Sequence, residues 1–142
     1  MKWPVLCIPS NGSRAEVVKE KEVLTTSTML GVTSGWYTNL RVVDADGKVY
    51  TIIRATFKRS RNPLLFLWRS LLGGRITVIL ESSCIPSQIA LAELKDLIVA
   101  DVLAHRSLYE SGRPVRELVS CIHECTTHRE IIDCLSWGEK RG

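Results

Sequence analysis

The sequence of 142 residues has the length of a single domain, and it is long enough to bury most of the surface that its unfolded chain exposes. Hydrophobic residues make up 45% of it and charged residues 24%, which excludes wholesale disorder and favours a packed core. The formal net charge of +4 gives weak bulk attraction to nucleic acid or anionic lipid, so the distribution of charge matters more than its sum. We expect one domain over residues 1–142.

The N-terminal third contains one clear signal, a β-hairpin. Residues 13–16 have the form of a capping box and predict a short helix, whereas residues 17–33 are compatible with helix or strand. Within residues 39–57, two β-prone runs flank a turn that contains Asp44 and Gly47. This segment therefore predicts a hairpin whose turn is not a calcium site, because the oxygen ligands of a calcium loop do not follow it.

The middle of the chain predicts a short apolar element followed by a strand. Residues 62–72 are rich in leucine, and Pro63 stands where a first helical turn tolerates proline, so a short helix or a packed loop is expected. Residues 75–81 are apolar at nearly every position. This pattern predicts an inner strand that is covered on both faces.

The last third is predicted to be helical. A long helix over residues 87–110 ends before Gly112, a second helix covers residues 114–125, and a third starts at the capping box of residues 127–130. Strands thus come first and helices last. The expected fold class is α+β, with an antiparallel sheet of about four strands in the N-terminal two-thirds packed against two or three C-terminal helices.

Asp101 and His105 form the pair most suggestive of chemistry. Four residues apart on the predicted long helix, they can meet within its apolar stripe, where a carboxylate would orient the imidazole. Such a pair is half of an acid-base site, but no nucleophile or metal pattern accompanies it. We favour a structural polar pair, and an enzyme of unknown reaction is the alternative. The stripe consists of Leu91, Leu94, Ile98, Val102 and Tyr109.

The cysteines are expected to be reduced. Their number is odd and their spacing is not that of a disulfide scaffold, and the N-terminal apolar run is too short for a signal peptide, so we expect a bacterial-type cytoplasm. Cys121 and Cys125 could share a metal, but helix geometry turns His123 away and places His128 on the next helix. We therefore expect no metal and interpret Cys125 and Cys134 as small core residues. The five cysteines stand at positions 7, 84, 121, 125 and 134.

A basic and apolar segment in the middle of the chain is the predicted contact surface. It combines Arg59, Arg61 and Arg69 with two large aromatic residues, Phe66 and Trp68. Three interpretations are open: the segment packs into the core, it anchors a partner protein, or it lies in a membrane interface. Nucleic-acid binding is disfavoured, because none of the familiar nucleic-acid-binding motifs is present.

The functional expectation follows from these patterns. A compact chain without an enzyme signature favours a small non-enzymatic cytosolic protein that binds another protein or itself, of the inhibitor, immunity or adaptor type, without a cofactor. One alternative is an enzyme that uses Asp101 and His105, marked by a pocket at that pair. The other is a basic surface for nucleic acid or membrane, marked by steep salt dependence.

Overall fold

The computed structural model describes residues 1–58, 61–83 and 85–136, and these contain a mixed α+β fold. Its sheet holds seven described strands, more than the four expected, because several pieces of two to four residues pair with the long strands. The strands are β1 Val5–Ile8, β2 Glu16–Val18, β3 Thr26–Ser27, β4 Leu40–Val43, β5 Lys48–Phe57, β6 Ile76–Ser82 and β7 Ser87–Gln88.

Every described strand pair is antiparallel, and the order across the sheet is β2-β1-β4-β5-β6-β3, with β7 paired to β5. The predicted hairpin is confirmed by β4 and β5, where Val43 lies opposite Val49. Its turn is fixed by the buried carboxylate of Asp44, whose Oδ1 accepts from the backbone N–H groups of Asp46 and Lys48. Gly47 supplies the positive φ of 80° that closes the turn.

The helices are α1 Lys21–Leu24, α2 Met29–Thr33, α3 Pro63–Leu71, α4 Leu91–Ala104, α5 Arg106–Tyr109, α6 Val115–Glu124 and α7 His128–Ser136. The second and third predicted C-terminal helices are confirmed as α6 and α7. The predicted long helix is shorter than expected, because residues 87 and 88 join the sheet and His105 leaves the helical conformation at φ −118°. The capping box predicted at residues 13–16 does not start a helix, since Glu16 begins β2.

Two apolar clusters lie on opposite faces of the sheet. On β1, the side chains of Leu6 and Ile8 belong to the cluster that faces α4, α6 and α7, whereas those of Val5 and Cys7 belong to the other. Leu24 and Tyr37, from the segment after β2, help to cover that second face. The C-terminal helices thus cover one face, and residues near the N-terminus cover the other.

Among the described residues, α3 exposes several large apolar side chains, and the neighbouring strands β5 and β6 expose Ile53 and Ile79. On β6, Ile76 and Val78 are buried, whereas Thr77 and Ile79 are exposed. The expectation that this strand is covered on both faces is therefore wrong, although it is an inner strand between β5 and β3. Among the described residues, no helix is both long and apolar enough to cross a membrane.

Candidate functional site

Helix α3 leaves most of its apolar side chains in water. Trp68 is 62% exposed, and Leu64 and Leu71 are 67% and 72% exposed. Every residue from Pro63 to Leu71 is half-buried or exposed. Since burying a side chain of this kind is worth about 1.5–3 kcal/mol, its exposure in an isolated chain calls for an explanation. Of the three interpretations of residues 62–72, burial in the core is excluded.

The exposed side chains of α3 form one continuous face. At about 100° per residue, Leu64, Trp68 and Leu71 lie within about 60° of one another around the helix axis. Leu65 and Leu67, also exposed, flank them and widen the face to about 160°. The helix is therefore amphipathic with its apolar side turned outward.

The opposite side of α3 attaches the helix to the sheet. Phe66 is half-buried, and its ring packs edge-on against that of Phe57, with the centroids 6.3 Å apart. Asn62 caps the helix, its Oδ1 accepting from the backbone N–H groups of Leu64 and Leu65. The sequence predicted Phe66 on the contact surface, but the contact of its ring with Phe57 attaches α3 to the sheet. Trp68, in contrast, is mostly exposed to solvent.

Basic side chains lie beside the apolar face of α3. A cleft of about 340 Å³ between α3 and β6 is lined by Leu65, Phe66 and four basic side chains. In the sequence, no Asp or Glu stands between residues 46 and 81. The surface around α3 is therefore positive, and it holds a large part of the excess of basic residues that gives the chain its net charge of +4. The basic residues lining the cleft are Lys58, Arg61, Arg69 and Arg75, and the predicted contact residue Arg59 lies outside the described residues.

Asp101 and His105 are neighbours, as predicted, and both side chains form hydrogen bonds within the fold. His105 Nδ1 lies 3.2 Å from Asp101 Oδ1, and the side chains of His105 and Asp101 are 23% and 14% exposed respectively. Asp101 Oδ2 accepts hydrogen bonds from the backbone N–H of Ala15 at 3.0 Å and from the Tyr109 hydroxyl at 2.7 Å. Burial, and then the hydrogen bond to Asp101, raises the pKa of Tyr109, so its hydroxyl stays a donor. The carboxylate thus joins α4 and α5 to the loop before β2.

The imidazole of His105 also connects the end of α4 to the segment before β2. Its Nε2 lies 2.9 Å from the carbonyl oxygen of Gly12, and its Nδ1 lies 3.0 Å from the carbonyl oxygen of Asp101. A neutral imidazole carries one N–H and can donate to only one of these groups, whereas the charged ring donates to both. Backbone hydrogen bonds to Gly12 and Asp101 therefore raise the pKa of His105 above its ordinary value of 6.5.

We expect stability to fall as the pH rises through the folded-state pKa of His105. A raised pKa means that the folded state holds this proton more tightly than the unfolded state does. The resulting stabilisation is fully present below about pH 6, where His105 is protonated in both the folded and the unfolded state. It is lost as the pH rises above the folded-state pKa. Urea unfolding between about pH 5.5 and about pH 8.5 measures the change.

The matched variants are His105→Gln and His123→Gln, since His123 is exposed on α6. The first should flatten the pH dependence of the free energy of unfolding, and the second should preserve it. An unchanged slope in His105→Gln would show that another group controls stability in this range.

Three cysteines meet between α6 and α7. Cys121 and Cys134 are joined by a disulfide bond, and the thiol of Cys125 lies 3.7 Å from the sulfur of Cys134. The expectation that all cysteines are reduced is wrong for the bonded pair. It failed because α7 packs against α6 and brings Cys134 next to Cys121 and Cys125, a contact between helices that the geometry of one helix does not reveal. Burial raises the pKa of the Cys125 thiol, which donates to the Cys121 carbonyl oxygen.

The two histidines near this cluster lie elsewhere, as predicted. His123 is exposed, and His128 Nε2 lies 3.0 Å from the carbonyl oxygen of Ile89, which ties α7 to the segment before α4. The cysteines open instead onto a cleft of about 810 Å³ with an acidic lining. Its charged lining residues are Arg113, Glu117, Glu124, Glu130 and Asp133.

No protein-family model, curated protein or solved structure matches this chain. The candidate function therefore rests on the two surfaces just described, the exposed face of α3 and the cysteine cleft, and on the structural role of Asp101 and His105.

Proposed function

We propose that this is a non-enzymatic binding protein, of the inhibitor, immunity or adaptor type, and that α3 enters an apolar groove on a partner protein. Its strongest support is the outward apolar face of α3. Leu64, Leu67, Trp68 and Leu71 follow the i, i+3, i+4, i+7 spacing of helices that bind in grooves. Tryptophan is also among the residues most often found to dominate binding energy.

The charges around α3 indicate which charge the partner's surface should carry. Arg61, Arg69 and Arg75 lie beside the apolar face, and each is exposed. Apolar contact fixes most of the affinity in such an interface, whereas charge at its edge selects the partner and speeds encounter. The complementary surface is a hydrophobic groove bordered by carboxylates.

The enzyme alternative receives less support from the structure. The Asp101 carboxylate accepts from Ala15, Tyr109 and His105, and His105 also contacts the Gly12 carbonyl. A general base must have its acceptor atom free to reach a substrate. Here both side chains join three segments of the fold, which favours a structural role.

Photocrosslinking in cells of the source organism tests the proposal. A benzophenone amino acid replaces Leu67 in one variant and Leu30 in the other, because Leu30 is 77% exposed on α2, away from α3 in sequence. We expect one prominent protein adduct from position 67 that is missing from position 30. The identified partner, once purified, should bind the wild-type chain and lose affinity when Trp68 is replaced.

Binding to vesicles is the competing outcome. Purified protein is sedimented with vesicles of phosphatidylcholine alone and of phosphatidylcholine with phosphatidylglycerol. Cosedimentation that needs the anionic lipid and Trp68, with no protein adduct from position 67, would replace the protein partner by a membrane surface. Adducts of equal yield and identity from both positions would reject α3 as the specific contact.

A further inference from the structure

We propose that Cys121, Cys125 and Cys134, when reduced, form a binding site for a thiophilic divalent cation of the zinc type. Their three sulfur atoms lie within 4.8 Å of one another. This proposal reverses the expectation of no metal, which considered Cys121 and Cys125 without the sulfur of Cys134 on α7. It is independent of the partner surface at α3.

The spacing of the sulfurs suits tetrahedral coordination. Zinc binds thiolate sulfur at about 2.3 Å, so two sulfurs of a tetrahedral site are separated by about 3.8 Å. Cys125 Sγ and Cys134 Sγ are already 3.7 Å apart. Cys121 Sγ is bonded to Cys134 Sγ in the disulfide, and reduction frees it to act as the third ligand beside the other two sulfurs.

The surroundings supply the other requirements of a cation site. Helices α6 and α7 hold the three ligands, and both contribute buried isoleucines to the main apolar cluster, Ile122 on α6 and Ile131 and Ile132 on α7. The cleft beside the sulfurs is lined by four carboxylates and one arginine, which raises the local concentration of cations. Three protein ligands leave the fourth tetrahedral position facing this cleft, where water or a small anionic ligand can bind.

Reduction controls access to the site. A dithiol reductant delivers two electrons and two protons to the Cys121–Cys134 bond, each sulfur becomes a thiol, and the reductant becomes a disulfide. The cation then displaces the protons of the three thiols, which are released to solvent as the sulfurs bind as thiolates. In the oxidised chain, two of the three sulfurs are bonded to each other and are not available as thiolate ligands.

Cobalt and zinc titrations test the site. The full chain is reduced with dithiothreitol, freed of it by anaerobic gel filtration and titrated with Co²⁺, and then with Zn²⁺ as competitor. We expect one equivalent of Co²⁺, the visible bands of tetrahedral cobalt and a near-ultraviolet sulfur-to-cobalt charge-transfer band, all removed by Zn²⁺. The oxidised chain and the reduced Cys125→Ser variant should bind at least about 100-fold more weakly.

Cys7→Ala is the control variant, since Cys7 is a free cysteine buried in the opposite apolar cluster. It should keep the wild-type cobalt spectrum and affinity. A second measurement on the wild-type chain avoids the question of whether a variant folds: Zn²⁺ should protect Cys121, Cys125 and Cys134 from alkylation, as read by peptide mass spectrometry. Absence of the charge-transfer band, equal affinity in Cys125→Ser, or protection that omits any of the three cysteines would overturn the proposal.

Discussion

Replacing Trp68 by alanine is expected to weaken partner binding by about 1 to 2 kcal/mol, or roughly five- to thirty-fold in affinity. The free energy of unfolding should change by less than about 0.5 kcal/mol, because the indole is 62% exposed and loses few contacts within the chain. Titration calorimetry with the crosslinked partner, once purified, gives the first quantity, and urea unfolding of the free protein gives the second.

The two measurements together separate a contact residue from a core residue. Truncating a buried tryptophan usually costs about 3 to 5 kcal/mol of folding stability, so a core role predicts the opposite pattern. Leu30→Ala is the matched control, since this leucine is 77% exposed on a different helix and should affect neither quantity. A Trp68→Ala protein that unfolds easily but binds normally would contradict the assignment of α3 as the contact surface.

Local signals predicted much of the chain. The β4–β5 hairpin depends on turn residues and helix α7 on capping residues that lie within a few positions of one another, and Pro114 directly precedes α6. Thr127 and Glu130 show this directly, because the backbone N–H of Glu130 donates to Thr127 Oγ1 while the Glu130 carboxylate accepts from the backbone N–H groups of Thr126 and Thr127. Interactions of such short range can be predicted from a single sequence.

The exposure of α3 was not predictable in the same way. The periodicity of Leu64, Trp68 and Leu71 indicates an apolar face, but the pattern is the same whether the chain's own sheet or another molecule covers that face. In the structure, Phe66 lies on the opposite side of the helix and packs against Phe57 of the sheet. Only the three-dimensional arrangement distinguishes these cases.

The cysteine cluster depends on contacts between elements rather than within one. Cys121 lies on α6 and Cys125 directly follows the last residue of that helix, so their spacing of four residues could bring them together, whereas Cys134 joins them only because α7 packs against α6. The sequence signal that could have found it is the short connection between two amphipathic helices, which favours antiparallel neighbours.

Replacing Asp101 by alanine is expected to lower the free energy of unfolding by about 1 to 3 kcal/mol. The carboxylate is 14% exposed and accepts from Ala15 N–H and from the Tyr109 hydroxyl. Without it, the Ala15 N–H loses its partner, and the Tyr109 hydroxyl keeps only the longer contact of 3.3 Å with the Ala15 carbonyl oxygen. Such a loss costs more than the hydrogen bonds themselves contribute, because a partly buried donor is left without compensation. Urea unfolding near neutral pH measures the change.

Asp96→Ala is the matched control for this prediction, because Asp96 lies on the same helix and is exposed. It should change stability by less than about 0.5 kcal/mol. The variant Tyr109→Phe removes one of the donors to this carboxylate, so combining it with Asp101→Ala in a double-mutant cycle should show a coupling of about 0.5 to 3 kcal/mol. If Asp101→Ala were no more destabilising than Asp96→Ala and showed no coupling to Tyr109, the carboxylate would not hold this junction together. The proximity of Asp101 and His105 would then need another explanation. The leading explanation would again be that the two residues form an acid-base site.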